Sequence, residues 1–255
     1  MKKWMHIGGM LLLFACSNPN KPEVETLKEQ KDAPQNAVSA VVFTKKQCVD
    51  SIFATMNIVS IQSVDSSILV DAKYATTDNF MHQKLYEHIQ TVYLQQEVAL
   101  RLAKAQRYLK MIHPQWSLLV YDGTRPVDVQ QRMWDALDSI PVSERVKFVS
   151  NPKNHSVHNY GAAIDLTIVD EHQQPLDMGA GYDDIRKIAY PSLEAQFLAS
   201  GELTQAQVNN RILLRKVMKS QGFINIPSEW WHFNAFRRDE VKQRYQVVLT
   251  EPLCE

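Results

Sequence analysis

Cysteine and glycine are scarce in this chain, and charge imbalance is missing altogether. Of its 255 residues three are Cys and eight are Gly, while 28 Lys and Arg offset 28 Asp and Glu. Three cysteines cannot make a disulfide framework, and none has a Cys-x-x-Cys partner, so a cysteine metal site is excluded. With zero net charge and no basic run longer than two residues, the chain lacks the electrostatic footprint of a nucleic-acid binder or of a polybasic membrane surface. Its apolar stretch from Trp4 to Ala15 is too short and too early for a membrane-spanning helix. No internal repeat is visible.

That early stretch has another use. Lys2 and Lys3 precede it, and it ends in Leu13-Phe14-Ala15-Cys16. This order resembles a bacterial lipoprotein signal, in which the Cys is lipidated and becomes the mature N-terminus. Residues 1–16 are therefore expected to be a lipoprotein signal with Cys16 as the lipidation site; an ordinary secretory signal is the alternative. Residues 17–40 are polar and carry few large apolar side chains, too few to offset the entropy of ordering, and are expected to be a tether. Residues 41–255 remain, enough for one well-buried domain. Cys48 and Cys254 lie near its two ends. Outside the cytoplasm they are either a disulfide or two free thiols.

Within the domain, Val41 to Lys73 reads as extended, on the β-formers around Ile58 and on Ile68-Leu69-Val70. Gln95 to Ile112 is predicted as a helix from Val98, Ala99, Leu102, Ala105, Leu109 and Ile112, stopped by His113-Pro114. Ser117 to Tyr121 is a short strand. Asp122-Gly123-Thr124-Arg125-Pro126 turns the chain into a helix that runs to about Leu137, with Pro126 at its first position. Ala162 to Val169 reads as a strand, Leu176 to Gly179 as a return strand, and Ser192 to Phe197 as a short helix. Thr204 caps a long helix to about Gln221 with Val208, Ile212, Leu213, Val217 and Met218 on one face, and Gly222 ends it. Phe223 to Ile226 and Trp231 to Phe236 read as strands. Irregular alternation of helices with antiparallel strands predicts an α+β fold: a single domain with a central antiparallel sheet and flanking helices.

Chemistry gathers in two stretches. His158 and Asp165 stand seven positions apart in Ser156-Val157-His158-Asn159-Tyr160-Gly161-Ala162-Ala163-Ile164-Asp165, and Glu229-Trp230-Trp231-His232 follows later. Asp165 sits in an apolar run, and a buried carboxylate is costly unless paired or bound to a cation. Two imidazoles and two carboxylates are the parts of a catalytic metal site with three protein ligands and a base. Glu229 and His232 would face opposite sides of a regular strand, so they converge only if the chain bends after Pro227-Ser228. The flanking tryptophans would exclude water and raise the carboxyl pKa, which suits a general base.

These stretches resemble the D-alanyl-D-alanine dipeptidases, a branch of the zinc D,D-peptidases (peptidase family M15). Asp71-Ala72-Lys73-Tyr74-Ala75 with Asp78-Asn79-Phe80, the Asp122–Pro126 turn, Asp177-Met178-Gly179 with Asp183, and Asn210-Arg211 before Gly222-Phe223 match the family in order. Glu-Trp-Trp-His favours the dipeptidase branch over carboxypeptidase relatives, which usually have Pro at the Trp230 position. The resemblance implies a hedgehog/DD-peptidase-like fold and one Zn²⁺ per chain held by His158, Asp165 and His232. It implies that Glu229 moves the proton and that Arg125 stabilises the developing oxyanion. Ser156 and Asp183 would receive the free ammonium of the dipeptide, and Tyr74, Asp78 and Asn79 would close a small pocket. The chain departs from the family at Val157, where close relatives have Ser, at Asn159-Tyr160, and at Thr77. His155 lies outside the matched motif. The implied activity is hydrolysis of D-Ala-D-Ala, periplasmic and lipid-anchored if the signal is read correctly, in cell-wall turnover or scavenging. A D,D-carboxypeptidase or endopeptidase on peptidoglycan stems, and a non-catalytic zinc module, are the competing readings.

Overall fold

The structure is a computed structural model that describes residues 44–254. The expected signal, Cys16 and the tether lie outside the described residues. The first element corrects the extended reading of Val41 to Lys73. Thr44 accepts a hydrogen bond from the Gln47 amide at 3.2 Å while the Gln47 side chain accepts from the Thr44 amide at 2.9 Å. This reciprocal box starts α1 (Lys45–Ala54), which buries Val49 and Phe53, one turn apart. Among the described residues of that stretch, only β1 (Ile58–Ser60) and, beyond the single turn α2 (Ile61–Val64), β2 (Leu69–Val70) are strands. The β-branched density around Ile58 hid a capping signal that the sequence contains.

β3 (Tyr93–Gln95) pairs antiparallel with β1 and runs into α3 (Gln96–Ile112), which buries Val98, Ala99, Leu102, Ala105 and Leu109 as its periodicity predicts. β4 (Ser117–Asp122) follows. Pro126 turns out to be the N-cap of α4 (Val127–Ala136) rather than its first residue. β5 (Ala163–Val169) is buried at every position. The return strand expected at Leu176–Gly179 does not form. A single bridge joins Val169 to Pro175, after which Asp177 accepts the Gly179 amide and Gly179 turns the chain at φ +74°. α5 (Glu194–Ser200) leads to α6 (Gln205–Lys219), capped by Thr204 as expected and closed by Gln207 into a reciprocal box, with Gly222 beyond it at φ +79°. Its inward face is Val208, Arg211, Leu214, Val217 and Met218; Ile212 is 49% exposed, because the buried stripe follows a spacing that passes it by. β6 (Ile224–Asn225), β7 (His232–Asn234) and α7 (Arg238–Arg244) complete the chain.

The α+β reading holds. Five strands form one sheet in the order β2-β4-β5-β7-β6, antiparallel except for β2, which lies parallel to β4 at the edge. Ile164, Leu166 and Ile168 alternate onto one face of β5 and join Leu102, Leu109, Leu214 and Val217 of the helices in the main core. The opposite face of β5 carries Asp165 and Thr167 between Ala163 and Val169. A second cluster, with Phe53, Tyr74, Tyr86, Tyr93, Met133 and Val248, fills the space between α1, α4 and the C-terminal segment.

Two anchors hold that segment. The Glu251 carboxylate is buried and accepts the amides of Glu87, His88 and Ile89 at 3.1, 2.7 and 3.0 Å, and Arg132 donates to it at 3.0 Å. Cys254 is disulfide-bonded to Cys48 of α1, 206 positions away. Closing so long a loop restricts the unfolded chain more than the folded one. Replacing both cysteines by Ser is expected to lower stability by about 2–4 kcal/mol, read as a fall in the urea midpoint. An unmoved midpoint would mean that the Glu251 anchor alone secures the terminus.

Candidate active site

The face of the sheet that bears Asp165 carries a row of three polar side chains. In the β4–β5 and β5–β7 registers, Asp122 lies opposite Asp165, and Asp165 opposite His232. Directly paired residues share a face. A register shift between Val120 and Asp122 brings Asp122 into the row; such bulges re-aim a side chain where regular alternation would turn it away.

His158 comes from outside the sheet. It sits on the 3₁₀ turn Val157–Tyr160, which Gly161 (φ +66°) connects to β5. A Cβ at Gly161 would meet Thr124 Oγ1 at 2.8 Å, so both conformation and space require glycine. Asn159, fully buried, accepts from the Ser156 amide at 2.6 Å and donates to Arg125 O at 2.7 Å and Gln130 Oε1 at 3.0 Å. The Arg125 amide donates to His158 O at 3.1 Å. The turns bearing His158 and Arg125 are thereby one unit.

Among the described residues, His158, Asp165 and His232 form the group placed to hold a metal ion. His158 Nε2 lies 3.1 Å from His232 Nδ1 and 3.4 Å from Asp165 Oδ1, and His232 Nδ1 lies 3.0 Å from the same oxygen. Tetrahedral ligands at zinc-like bond lengths stand about 3.3 Å apart. The outer contacts set the tautomers. His158 Nδ1 is 2.6 Å from Gly123 O, which only accepts, so the hydrogen is on Nδ1 and the Nε2 lone pair faces inward. His232 Nε2 donates to Asn234 Oδ1 at 2.9 Å, which directs Nδ1 inward. Three acceptors then meet at one point, an arrangement that only a cation or a shared proton stabilises. In the metal-free protein it is a proton. Burial opposes charge on His232, but the hydrogen bond and charge of Asp165 overcome it and raise its pKa to about 9. Burial likewise opposes charge on Asp165, yet the imidazoles of His158 and His232 hold it far below the usual carboxylate range.

Glu229 lies in the bend between β6 and β7, and its Oε2 is 3.8 Å from His232 Nδ1, so the convergence that the bend requires is present. It remains 37% exposed toward the cavity while protein surrounds it on the other sides. Burial pushes its pKa up; Asp165 adds to this, and His232, His158 and Arg125 oppose it. Arg125 is 8% exposed, and its Nε and Nη2 donate to Asp122 Oδ2 at 2.9 and 2.6 Å. Asp183, at φ +59°, accepts from Tyr74 OH at 2.9 Å, and burial together with the Asp165 charge raises its pKa well above the ordinary range.

These groups share a cavity of about 490 Å³ lined by Tyr74, Arg125, Ser156, His158, Asp165, Asp183, Glu229 and His232. Ser156 Oγ donates to Gln130 Oε1 at 2.8 Å. Asp78 and Asn79 do not line this cavity. Asp78 is exposed and paired with Lys73, and Asn79 donates to the carbonyls of Lys73, Thr76 and Gln83, organising its own loop; Phe80 is the residue of that loop that reaches the cavity. His155 is apart from the three-ligand group and faces Tyr160 OH at 3.4 Å. Sequence reasoning assigned no role to Asp122, Asn234 or Tyr182. Asn234 had a legible signal, since it stands two positions from His232 and so shares its face on a strand.

Three convergent ligands, a neighbouring carboxylate at the cavity wall and a clamped guanidinium make up the layout of a metallopeptidase. The particular family follows from comparison. Residues 54–250 match the peptidase M15 profile, described as D-ala-D-ala dipeptidase, and the chain belongs to that family. It is 33% identical over 179 residues to the D-alanyl-D-alanine dipeptidase of Escherichia coli K12, covering 70% of this chain and 84% of that one. It is 32% identical over 179 residues to that of Enterococcus faecalis V583, covering 64% and 83%. With that of Synechocystis sp. PCC 6803 the identity is 30% over 161 residues, covering 52% and 65%.

The proton on His232 makes metal uptake pH-dependent. A pKa raised from 6.5 to about 9 means that protonation favours the metal-free fold below that range and ceases to do so as pH rises through it. Metal must displace this proton, so apparent affinity is expected to rise about tenfold per pH unit from pH 7 and to level off above pH 9. Chelator competition at stepped pH checks this. A flat profile would put the proton elsewhere.

Proposed function

We propose that this chain is a zinc dipeptidase that hydrolyses D-alanyl-D-alanine to two D-alanines, exported and lipid-anchored through Cys16. The observation that carries the reading is the single cavity holding His158, Asp165 and His232 with Glu229 on one side and Asp183 on another. Zinc fits the two-imidazole, one-carboxylate donor set, and when bound it supplies Lewis-acid activation of water and of the scissile carbonyl. The protein's own groups do the rest. Glu229 takes a proton from the attacking water as its oxygen bonds to the carbonyl carbon, then delivers that proton to the leaving nitrogen as the C–N bond breaks. Arg125, fixed by Asp122, presents its guanidinium to the oxyanion as charge develops, in a buried setting where such stabilisation is strong. Asp183 lacks a cationic hydrogen-bond partner among the described residues, and a substrate ammonium would supply one. A carboxyl group that ionises against the free ammonium selects dipeptides over N-blocked chains, because a blocked substrate leaves it without that partner.

Export is supported by the Leu13–Cys16 pattern and by the Cys48–Cys254 disulfide, which persists in an oxidising compartment. An exported enzyme cannot reach a cytoplasmic pool, so turnover of wall-derived dipeptide or scavenging is the proposed role.

Purified protein with zinc is expected to release D-alanine from D-Ala-D-Ala and to lose activity with chelator. Acetyl-D-Ala-D-Ala is expected to be a poor substrate; efficient turnover of it would move the assignment to a D,D-carboxypeptidase. Glu229→Gln is expected to lower kcat about a thousand-fold, and Arg125→Ala about a hundred-fold. An unchanged rate in Glu229→Gln would remove it as the base. Fractionation of cells expressing the full chain should find it with membranes, and Cys16→Ser should release it.

A further inference from the structure

Asp165 has two oxygens in different surroundings. Oδ1 faces both imidazoles, 3.4 Å from His158 Nε2 and 3.0 Å from His232 Nδ1. Oδ2 points the other way, 3.2 Å from Tyr182 OH and 3.6 Å from Arg125 Nη2. Arg125 already donates through Nε and Nη2 to Asp122. Among the described residues, the hydroxyl of Tyr182 is the donor hydrogen-bonded to Oδ2. Accepting the metal reading above, we propose that Tyr182 is a positioning residue of the metal centre, its hydroxyl holding Oδ2 of Asp165 so that Oδ1 alone is presented as the ligand.

The hydroxyl is itself well fixed. The Tyr182 ring packs at 4.7 Å from Tyr121 and 5.6 Å from Trp231, centroid to centroid. The loop that bears it is tied down by fully buried Arg211, which donates to Met178 O at 2.6 Å and Ile188 O at 3.0 Å, and by Trp230 Nε1, which donates to Ala180 O at 3.1 Å. A carboxylate oxygen only accepts, so the hydroxyl is the donor in this contact. A carboxylate with both oxygens free can rotate or offer both to the ion. With one oxygen bonded outward, the ligand is oriented before the metal arrives, as outer partners of ligands do elsewhere.

The test is zinc affinity of full-length Tyr182→Phe by chelator competition, with the absorption spectrum of the cobalt-loaded protein. Phe keeps the ring packing, and Tyr121→Phe, a neighbouring tyrosine without a bond to Asp165, is the matched control. The expected result is zinc binding weakened at least tenfold and a shifted cobalt spectrum in Tyr182→Phe, with wild-type affinity and spectrum in Tyr121→Phe. Wild-type affinity and spectrum in Tyr182→Phe overturn the proposal. So does a loss matched by Tyr121→Phe, which assigns the effect to packing. A wild-type protein that takes up no zinc overturns the metal reading itself, and this inference with it.

Discussion

A carboxylate buried in the middle of a sheet is the constraint on which this structure turns. Asp165 is 3% exposed between apolar neighbours on the central strand. An unpaired charge there would cost several kcal/mol. The surrounding architecture answers that need with groups that leave room for a cation. His232 is delivered by strand register and His158 by a turn locked to the Arg125 segment. Each imidazole is bonded on its far side, so the near side faces Asp165. The same arrangement that neutralises the charge is therefore a group able to hold a metal ion.

The other acids in the interior and at the cavity are treated differently. Asp122 is satisfied within the protein by Arg125 and by Tyr86 OH at 2.7 Å. Glu251 is satisfied by three backbone amides and Arg132, and its role is to secure the C-terminal segment. Glu229 and Asp183 are not satisfied in this way. Both carry raised pKa values, and both line the cavity. Under the proposed function these are the two acids that act on the substrate.

Much of this was legible in the residue order. The α3 stripe, the Thr204 cap and the strand containing Asp165 follow from spacing and capping chemistry. So does the suspicion of Asp165, an acid in an apolar run. Other features were hidden for identifiable reasons. The α1 helix was missed because β-formers farther along outweighed its capping box. Arg211 occupies the buried stripe of α6, where a hydrophobic pattern cannot anticipate a charge, because its partners are carbonyls of a distant loop. Asn79 sat in a matched motif, but its amide is engaged by its own loop, and motif position does not distinguish those uses.

The sequence by itself determined the inventory: two histidines and two acids in two motifs, an arginine turn, and a helix-and-strand alternation that admits an α+β domain. These are local properties, set by residue type and spacing. Tertiary structure decided which atoms meet. Strand register placed Asp122, Asp165 and His232 on one row, a bend brought Glu229 within 3.8 Å of His232, and a loop from the far side set Tyr182 against the outer oxygen of Asp165. Those contacts join positions up to about seventy residues apart, and pairing across a sheet is fixed by the packing of the whole domain rather than by any one segment.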